Sequence, residues 1–476
     1  MQSKLILTVG LAAVSALQAS AKEPVPSKQT KPNIILYLVD DLGWRDVGFM
    51  GSKYYETPNV DKMAKEGMVF TSAYANAPNC APTRACLMSG LYTPRHGIYT
   101  VGNPNRGNSA KRQLIATPNK ETLESKFVTM AEALKKSGYA TCHVGKWHLG
   151  EGAETGPKGQ GFDVNIAGNH TGSPAGGYFS PYKNPQLPDG PKGEYLTDRL
   201  TSEAINFIDD QNDDPFFMYF AHYAVHTPIQ GKKEYIPHYA SKSPDRGQDN
   251  PTYAAMIQSM DESLGRIIEK LEEKNMKDNT LIIFFSDNGG HGGTTSCRPL
   301  KGSKGCMYEG GFREPMIAWW PGKIEAGTTC DEPVIGIDFY PTFVELSGGK
   351  AKNYKLDGES LTNLFFQEGD LKRDAIYWHF PAYLQNYKGY KYPEELTKGF
   401  RSVPSGAIRK GDWKLIEDFE DGTLKLYDLK NDLSESTNLV KDNPQKTKEL
   451  LKDLRKWRKQ VKAPVPIERN PEYKKQ

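Results

Sequence analysis

The residue types with the clearest chemical potential lie in one short stretch, Cys80-Ala81-Pro82-Thr83-Arg84. The cysteine stands at the start of a helix-like run, the proline fixes the entry turn, and the arginine follows one turn later. A helix N-terminus offers unpaired N–H groups and the positive end of the helix dipole, so it favours an anion. A thiolate held there, or its oxidised product, could attack or stabilise an oxyanion-bearing group such as sulfate or phosphate. Taken alone, so short a motif is equally typical of a buried structural cysteine beside a surface arginine.

Two pairs of oxygen-donor side chains each come directly after an apolar run. Asp40 and Asp41 follow one such run, and Asp287 and Asn288 follow another. Three carboxylates and an amide oxygen are hard ligands, which suit Ca²⁺ or Mg²⁺ rather than zinc. Either pair by itself is explained as well by a turn after a strand. The presence of both pairs in one chain with the cysteine motif favours a metal site.

Basic side chains supply candidates for binding an anion and for moving protons. Lys146 and His148 lie on the same side of an extended segment, because alternate residues share a face. His226 and Lys304 follow later in the chain. The pKa of histidine suits a general acid or base, although a lone histidine is more often structural. Structural roles are assigned to His96, His143, His222, His238 and His379.

The cysteine stretch resembles the type I sulfatase signature C-x-P-x-R, in which the cysteine is oxidised after translation to formylglycine. Five further blocks resemble that family in the same order, and they lie at 33–43, 145–150, 225–228, 286–289 and 302–311. On these blocks the chain is identified as a member of the family. Two positions depart from the family pattern: Thr83 stands where serine is commoner, and Cys86 where an aliphatic or small residue is usual.

The resemblance implies one Ca²⁺ ion, held by the two oxygen-donor pairs, with the formylglycine at Cys80 and the sulfate completing the shell. A hydrated formylglycine would attack sulfur, and loss of a proton from its second hydroxyl would then release sulfate. Arg84, Lys146 and Lys304 are the candidates for holding sulfate oxygens. His148 is the candidate base of the second step, and His226, with Lys304, is the candidate donor of a proton to the leaving oxygen.

Loops outside these blocks offer candidates for substrate recognition, although ordinary loop surface explains each of them equally well. Asn169 and His170 lie in a glycine-rich insert at 168–174. This insert resembles the corresponding segment of enzymes that act on galactose or N-acetylgalactosamine sulfates. His291 and Arg298 follow the second oxygen-donor pair and could reach a sugar hydroxyl or a second anionic group. An aromatic insert at 383–392 could stack on a sugar ring.

Composition sets the class of protein. The 476 residues carry a formal net charge of +3, which indicates neither a nucleic acid nor a membrane surface as partner. Residues 1–21 are predicted to be a secretory signal peptide cleaved near Ala21, and 22–31 a disordered leader. The signal peptide predicts that the protein is exported, either periplasmic or secreted. No later segment is apolar and long enough to span a membrane. A disulfide between Cys297 and Cys306 is left open, because spacing does not fix the distance between two cysteines.

Apolar runs alternate with helical patterns over the first three-quarters of the chain, which predicts an α/β fold with a large mixed, mostly parallel sheet between helices. The predicted strands are 34–39, 139–144, 216–222, 281–286 and 315–320, and the predicted helices are 57–66, 129–136, 196–209, 251–274 and 337–346. The candidate residues fall at the carboxyl ends of these strands, where open α/β sheets bind ligands. Residues 32–349 are predicted to form the catalytic domain, and 350–476 a subdomain with a short antiparallel sheet and a terminal helix.

The sequence therefore predicts an exported sulfuric-ester hydrolase that removes O-sulfate from a sulfated carbohydrate, with a formylglycine-generating enzyme as its maturation partner. One alternative is a phosphate mono- or diesterase of the same superfamily, but such enzymes usually need more metal-binding histidines and aspartates. Another is a glycan-binding protein with a dead active site. The complete set of cysteine, metal-binding and basic residues argues against it.

Overall fold

The large sheet is built from apolar runs that are buried along their whole length. The computed structural model describes residues 31–212, 214–387 and 399–475, and here the sheet has nine strands. They are β1 (Asn33–Val39), β2 (Met68–Tyr74), β3 (Ala140–Gly145), β4 (Val164–Ile166), β5 (Phe216–Ala221), β6 (Thr280–Ser286), β7 (Arg313–Trp319), β8 (Thr328–Cys330) and β9 (Val334–Ile335).

The strand order is β4-β3-β5-β1-β6-β7-β2-β8, with β9 also paired to β2. From β4 to β6 every pair is parallel, whereas β7 runs antiparallel to both of its neighbours. Helices cover both faces. Alternate residues of β1 enter two different hydrophobic clusters, Ile35 on one side and Ile34 on the other, because side chains alternate along a strand. The predicted mixed, mostly parallel α/β sheet is confirmed.

The helices predicted at 57–66, 129–136, 196–209, 251–274 and 337–346 and the terminal helix are present close to those limits, and the described residues also contain short helices that the sequence did not predict. The helices are α1 (Pro58–Glu66), α2 (Cys80–Ser89), α3 (Thr93–His96), α4 (Met130–Lys136), α5 (Gly152–Thr155), α6 (Leu196–Asp209), α7 (Ile236–Ala240), α8 (Pro251–Glu273), α9 (Glu309–Phe312), α10 (Phe339–Leu346), α11 (Thr362–Phe365) and α12 (Pro444–Val461). Thr129 caps α4 with a reciprocal capping box to Glu132. None of these helices combines the length and the apolar character that crossing a bilayer requires.

A second, antiparallel sheet follows in the C-terminal part. It comprises β10 (Ile376–Phe380), β13 (Ser405–Lys410), β14 (Trp413–Asp418) and β15 (Leu424–Asp428), and β11 (Leu384–Gln385) pairs separately with β12 (Phe400–Ser402). Helix α12 shares a hydrophobic cluster with this sheet and with Tyr74 and Cys86 of the large-sheet region. The smaller antiparallel sheet plus helix is confirmed, and residues from Lys31 onward cluster as one unit.

Some predictions lie outside the described residues. These are the signal peptide, all of the leader except Lys31, and positions 388–392 of the aromatic insert. All six cysteines of the chain are free thiols. Cys297 and Cys306, both buried, therefore do not form the disulfide that the sequence left open.

Candidate active site

Four adjacent strands bring the predicted residues to one edge of the large sheet. β3, β5, β1 and β6 lie side by side in parallel, so their carboxyl ends meet. Asp40 follows β1, Lys146 follows β3 and Asp287 follows β6. Open α/β sheets bind ligands at this edge, and the geometry brings the predicted metal and catalytic residues together here.

Three buried oxygen atoms at this edge lack hydrogen-bond partners among the described residues. Asp40 Oδ1, Asp41 Oδ2 and Asn288 Oδ1 are buried and accept no hydrogen bond from any described residue. The opposite ends of these side chains are occupied: Lys146 Nζ donates to Asp40 Oδ2 at 2.7 Å, and Asn288 Nδ2 donates to Asp41 Oδ1 at 2.8 Å. An unpaired buried acceptor costs free energy unless a cation or a donor meets it. This donor set fits Ca²⁺, which prefers oxygen ligands.

Asp287 connects the oxygen set to the cysteine helix. Its Oδ1 accepts from the backbone N–H of Asp41 at 3.3 Å, and its Oδ2 accepts from Arg84 Nε at 2.9 Å. Ligand atoms of Asp40, Asp41 and His226 also lie within 4.8 Å of one another. The oxygen atoms, rather than the imidazole, stay the predicted ligands, because hard cations such as Ca²⁺ select oxygen.

Three carboxylates and three cationic side chains balance one another here. The carboxylates are the three aspartates just described, and the cations are Arg84, Lys146 and Lys304. Without a metal the formal charges cancel, so a divalent ion would leave the site positive. A positive site of this kind attracts an anionic ester and stabilises negative charge that develops on it.

The two neighbouring aspartates have opposite pKa shifts. Burial, and next the charge of Asp287, raise the pKa of Asp40 well above its usual range. Burial also acts to raise the pKa of Asp41, but the charges of Lys304 and His226 outweigh it and hold that pKa low. A bound cation would offset the repulsion that Asp40 experiences.

Cys80 is the first residue of α2, as the sequence predicts. Its helix is buried along its whole length, and Asn79, in extended conformation, precedes it as N-cap. The Cys80 sulfur lies 3.5 Å from His148 Nδ1. Thr83 keeps the hydroxyl that serine would supply: its Oγ1 donates to Ala77 O at 3.0 Å and accepts from the Ala77 N–H at 3.2 Å. This explains why threonine is tolerated there.

Arg84 and Lys146 form the floor of the site. Both side chains are fully buried. Arg84 Nη2 contacts Asp287 Oδ2 at 2.8 Å, and Arg84 Nη1 donates to the carbonyl of Lys146 at 2.7 Å. Burial favours the neutral form of Arg84, yet Asp287 and other charges raise its pKa overall. The guanidinium is therefore permanently charged and held in one orientation.

His148 is held by the glycine-rich insert. Its backbone N–H donates to Asn169 O at 3.0 Å, and a Cβ on Gly172 would lie 2.4 Å from the His148 ring. His148 itself has φ +63°, in the left-handed region, a conformation typical of functional positions. Burial, and next the charge of Lys146, lower its pKa well below the usual value, so the imidazole is neutral and able to accept a proton.

His226 and Lys304 lie at the more accessible side. The His226 side chain is 16% exposed, whereas Arg84 and Lys146 have no exposed surface. His226 Nε2 is 3.7 Å from Asp41 Oδ2, and Lys304 Nζ donates to Asp41 Oδ1. Burial lowers the pKa of His226 to about 3, against the opposing effect of Asp41.

The predicted substrate residues occupy different environments. Asn169 is buried, and its Oδ1 accepts from the Thr171 N–H at 2.8 Å. His170 is exposed and pairs with Glu151 at 2.6 Å. The ring of His291 lies 4.0 Å from that of Tyr387.

Arg298, the last of these candidates, is exposed, and its backbone N–H donates to Ser296 Oγ at 3.4 Å. The substrate roles of Asn169, His170, His291 and Arg298 stay predictions.

Two arginines at the rim were not predicted from the sequence. Arg401, in β12, places its guanidinium 3.9 Å from the centre of the Tyr387 ring. Arg106 lies in a loop whose next residue, Gly107, packs on Phe400. Neither arginine belongs to a local sequence motif, so neither could be predicted. Of these residues, only Tyr387 lies in a segment that the sequence singled out, the aromatic insert.

Comparisons with known proteins agree with this geometry. Residues 32–349 match the family model described as Sulfatase, and residues 303–463 match the model described as N-sulphoglucosamine sulphohydrolase, C-terminal. A sulfatase of Formosa agariphila is 35% identical, over 95% of this chain and 93% of that protein. The N-acetylgalactosamine-6-sulfatase of Mus musculus is 33% identical, over 84% and 79%. The crystal structure of Ps i-CgsB in complex with k-i-k-neocarrahexaose has a TM-score of 0.73 at 34% identity, covering 90% of this chain and 92% of that one.

Proposed function

The chain belongs to the sulfatase family and is a sulfuric-ester hydrolase, and we propose that it removes O-sulfate from a sulfated carbohydrate after export. The observation that supports this most directly is the set of three buried oxygens without hydrogen-bond partners among the described residues, Asp40 Oδ1, Asp41 Oδ2 and Asn288 Oδ1. Asp287 links Asp41 to Arg84, on the helix that begins at Cys80. A cation among the three oxygens would lie next to the helix N-terminus where an ester oxyanion is favoured.

The cation of the proposal is Ca²⁺, held by Asp40, Asp41, Asp287 and Asn288 together with the modified Cys80. When bound, it supplies positive charge that polarises the sulfate and favours the ionised nucleophile. Cationic side chains of the protein supply the other positive charges that stabilise the sulfate group. Arg84, Lys146 and Lys304 are proposed to bind sulfate oxygens, because each carries a fixed charge held close to the carboxylates.

Cys80 is proposed to act as formylglycine, produced by a maturation enzyme. The sulfur in the present geometry stands where the attacking oxygen would be. His148, at 3.5 Å from that sulfur, is neutral and oriented to accept the proton whose loss releases sulfate. Release of sulfate leaves the aldehyde, which water rehydrates, so that the net reaction is hydrolysis of the ester.

His226, with Lys304, is proposed to donate the proton to the leaving sugar oxygen. Its greater exposure is what a position facing the departing sugar requires, whereas the buried floor faces the sulfate. Burial keeps the free imidazole neutral, so the negative charge of a bound ester is what would favour its protonated form.

Galactose or N-acetylgalactosamine sulfate is the proposed sugar class. The support is similarity: a relative that covers most of this chain is named N-acetylgalactosamine-6-sulfatase, and a solved relative holds a neocarrahexaose. Asn169 and His170, and also His291 and Arg298, are the proposed sugar-contacting residues.

A panel of defined sulfated and phosphorylated saccharides tests the proposal. We expect protein produced with a maturation enzyme to release sulfate from N-acetylgalactosamine 6-sulfate or a galactose sulfate, while Cys80→Ala protein releases none. Faster release of phosphate than of sulfate from matched esters would instead support the phosphatase alternative. Tight saccharide binding without release of either anion would support a glycan-binding protein.

A further inference from the structure

We propose that Arg106 and Arg401 form a second anion-binding subsite beside the reacting sulfate, so that the preferred saccharide carries another sulfate or a carboxylate near the scissile ester. This inference rests on the proposed function and specifies its substrate class.

Arg401 is the main component of the subsite. The residue is only 6% exposed, and its Nε is buried and lacks a hydrogen-bond partner. Its Nη1 donates to the carbonyl of Gln385 at 2.8 Å, and its guanidinium stacks on Tyr387. Burying a cation without an anion beside it costs free energy, so a buried guanidinium with an unused donor is suited to receive an anionic group.

The position of Arg401 is next to the sulfate-binding machinery. A Cβ on Gly305 would lie 2.2 Å from Arg401 Nε, so the arginine touches the residue that follows Lys304. The ring of His291 lies 4.0 Å from the ring of Tyr387. Arg401, Tyr387 and His291 thus line the same side of the site as Lys304.

Arg106 approaches from a separate loop. That loop is fixed against the Arg401 strand, because a Cβ on Gly107 would lie 2.6 Å from the Phe400 ring and 3.3 Å from Gln385. Arg106 Nη2 donates to the carbonyl of Val101. The contact between Gly107, which follows Arg106, and Phe400, which precedes Arg401, places the two arginines on adjoining segments. Burial, and next the charge of Arg401, lower the pKa of Arg106.

Two other buried arginines contact carboxylates. Arg84 contacts Asp287, and Arg313 contacts Glu309. Within 31–212, 214–387 and 399–475, neither Arg106 nor Arg401 forms an ion pair with an acidic side chain. Two like charges held together without a counter-charge repel each other, and an anion between them would remove that repulsion. Planar guanidinium groups bind sulfate and carboxylate with two parallel hydrogen bonds.

Binding to catalytically inactive protein tests the subsite independently of turnover. In a Cys80→Ala background we would titrate N-acetylgalactosamine 6-sulfate, N-acetylgalactosamine 4,6-disulfate, and a disaccharide of a uronic acid with N-acetylgalactosamine 6-sulfate. We expect at least one doubly anionic ligand to bind about tenfold or more tightly than the monosulfate, the gain of a charge-assisted contact. The disulfate and the uronic acid arms distinguish sulfate from carboxylate.

Substitutions assign the gain to the two arginines. Arg401→Gln and, separately, the less buried Arg106→Gln should each remove most of that preference, and Arg401→Lys should restore part of it. Arg246→Gln, an exposed control with the same change of charge, should leave it unchanged. Equal affinities for singly and doubly anionic ligands, or a preference that survives both arginine substitutions, would overturn the proposal. A subsite confirmed by binding in a protein that releases no sulfate would overturn the proposed function alone.

Discussion

Lys146 Nζ lies 2.7 Å from Asp40 Oδ2, while Oδ1 of the same buried carboxylate has no hydrogen-bond partner in the described part of the chain. The lysine therefore neutralises one oxygen and fixes the orientation of the other. Ligand atoms of Asp40, Asp41 and His226 lie within 4.8 Å of one another, and Asp41 Oδ2 and Asn288 Oδ1 also lack hydrogen-bond partners among the described residues. One ion pair thus prepares a ligand for a cation and places a positive charge beside the sulfate that the cation would bind.

Calcium should stabilise the folded protein, and Asn288→Leu should remove most of that effect. Asn288 supplies an unpaired oxygen but no charge, so its loss leaves no buried ion without a partner. At 100 times the dissociation constant a ligand adds about 2.7 kcal/mol to the free energy of unfolding. Thermal unfolding with and without Ca²⁺ measures the shift.

Asp287→Ala would be a poor probe of the same site, because it would strand the buried Arg84 guanidinium. Asn363→Leu, at an exposed position of α11, serves as the control. An undiminished calcium shift in Asn288→Leu would remove Asn288 from the ligand set.

Cys80→Ser should not turn over. A sulfated serine has no second hydroxyl through which sulfate can be released, so the enzyme would stop after one event. Peptide mass spectrometry of wild-type protein made with a maturation enzyme should show an aldehyde in place of the thiol. Multiple turnovers by Cys80→Ser at the wild-type rate would contradict the formylglycine mechanism.

His226→Ala should lower kcat mainly for esters with poor leaving groups. A sugar alkoxide needs a proton as the S–O bond breaks, whereas a nitrophenolate leaves without one. The comparison of kcat for a sugar sulfate and an aryl sulfate measures the difference. Equal losses on both would assign His226 a role in binding sulfate instead.

Acid should destabilise the protein partly through His379. Burial lowers its pKa to about 3, whereas an unfolded histidine titrates near 6.5. Since the unfolded state binds the proton first, stability is complete above about pH 6.5 and falls as the pH drops towards 3. His379→Gln should reduce that slope by up to about 1.4 kcal/mol per pH unit between pH 5.5 and 4.

Urea unfolding at a series of pH values measures the slope. The exposed His238, replaced by Gln, is the matched control. A slope that is identical in wild-type and His379→Gln protein would show that His379 does not stay neutral in the fold.

The strands that carry the metal and sulfate-binding residues could be predicted because parallel strands buried on both faces are continuous apolar runs. β6 and α8 end within a residue of their predicted limits. The residues after such strands meet at one edge by geometry, so Asp40 and Asp287 could be placed together from sequence.

Residues brought in by tertiary structure could not be predicted in this way. Arg401 reaches Tyr387 and Gly305 only because the separate two-stranded sheet packs beside the Lys304 loop. The spacing of Cys297 and Cys306 likewise could not decide whether they form a bridge, and in the fold both are free. Short edge strands such as β8 and β9 carry too few residues for a periodic signal.

Lys414→Met should destabilise the protein by about 3–5 kcal/mol, because it removes the cation between two buried carboxylates. Of these, Glu309 keeps its contact with Arg313, and Glu435 does not have a second one in the ion pairs of the described residues. Lys414 Nζ contacts Glu309 at 3.0 Å and Glu435 at 2.8 Å, and all three side chains are fully buried. The contacts join α9, beside the large sheet, to the antiparallel sheet. The equivalent change at the partly exposed Lys425, paired with Asp418, should cost no more than about 1 kcal/mol. Urea unfolding of both variants at pH 7.5 measures the difference, and equal small losses would show that the buried network contributes little to holding the two sheets together.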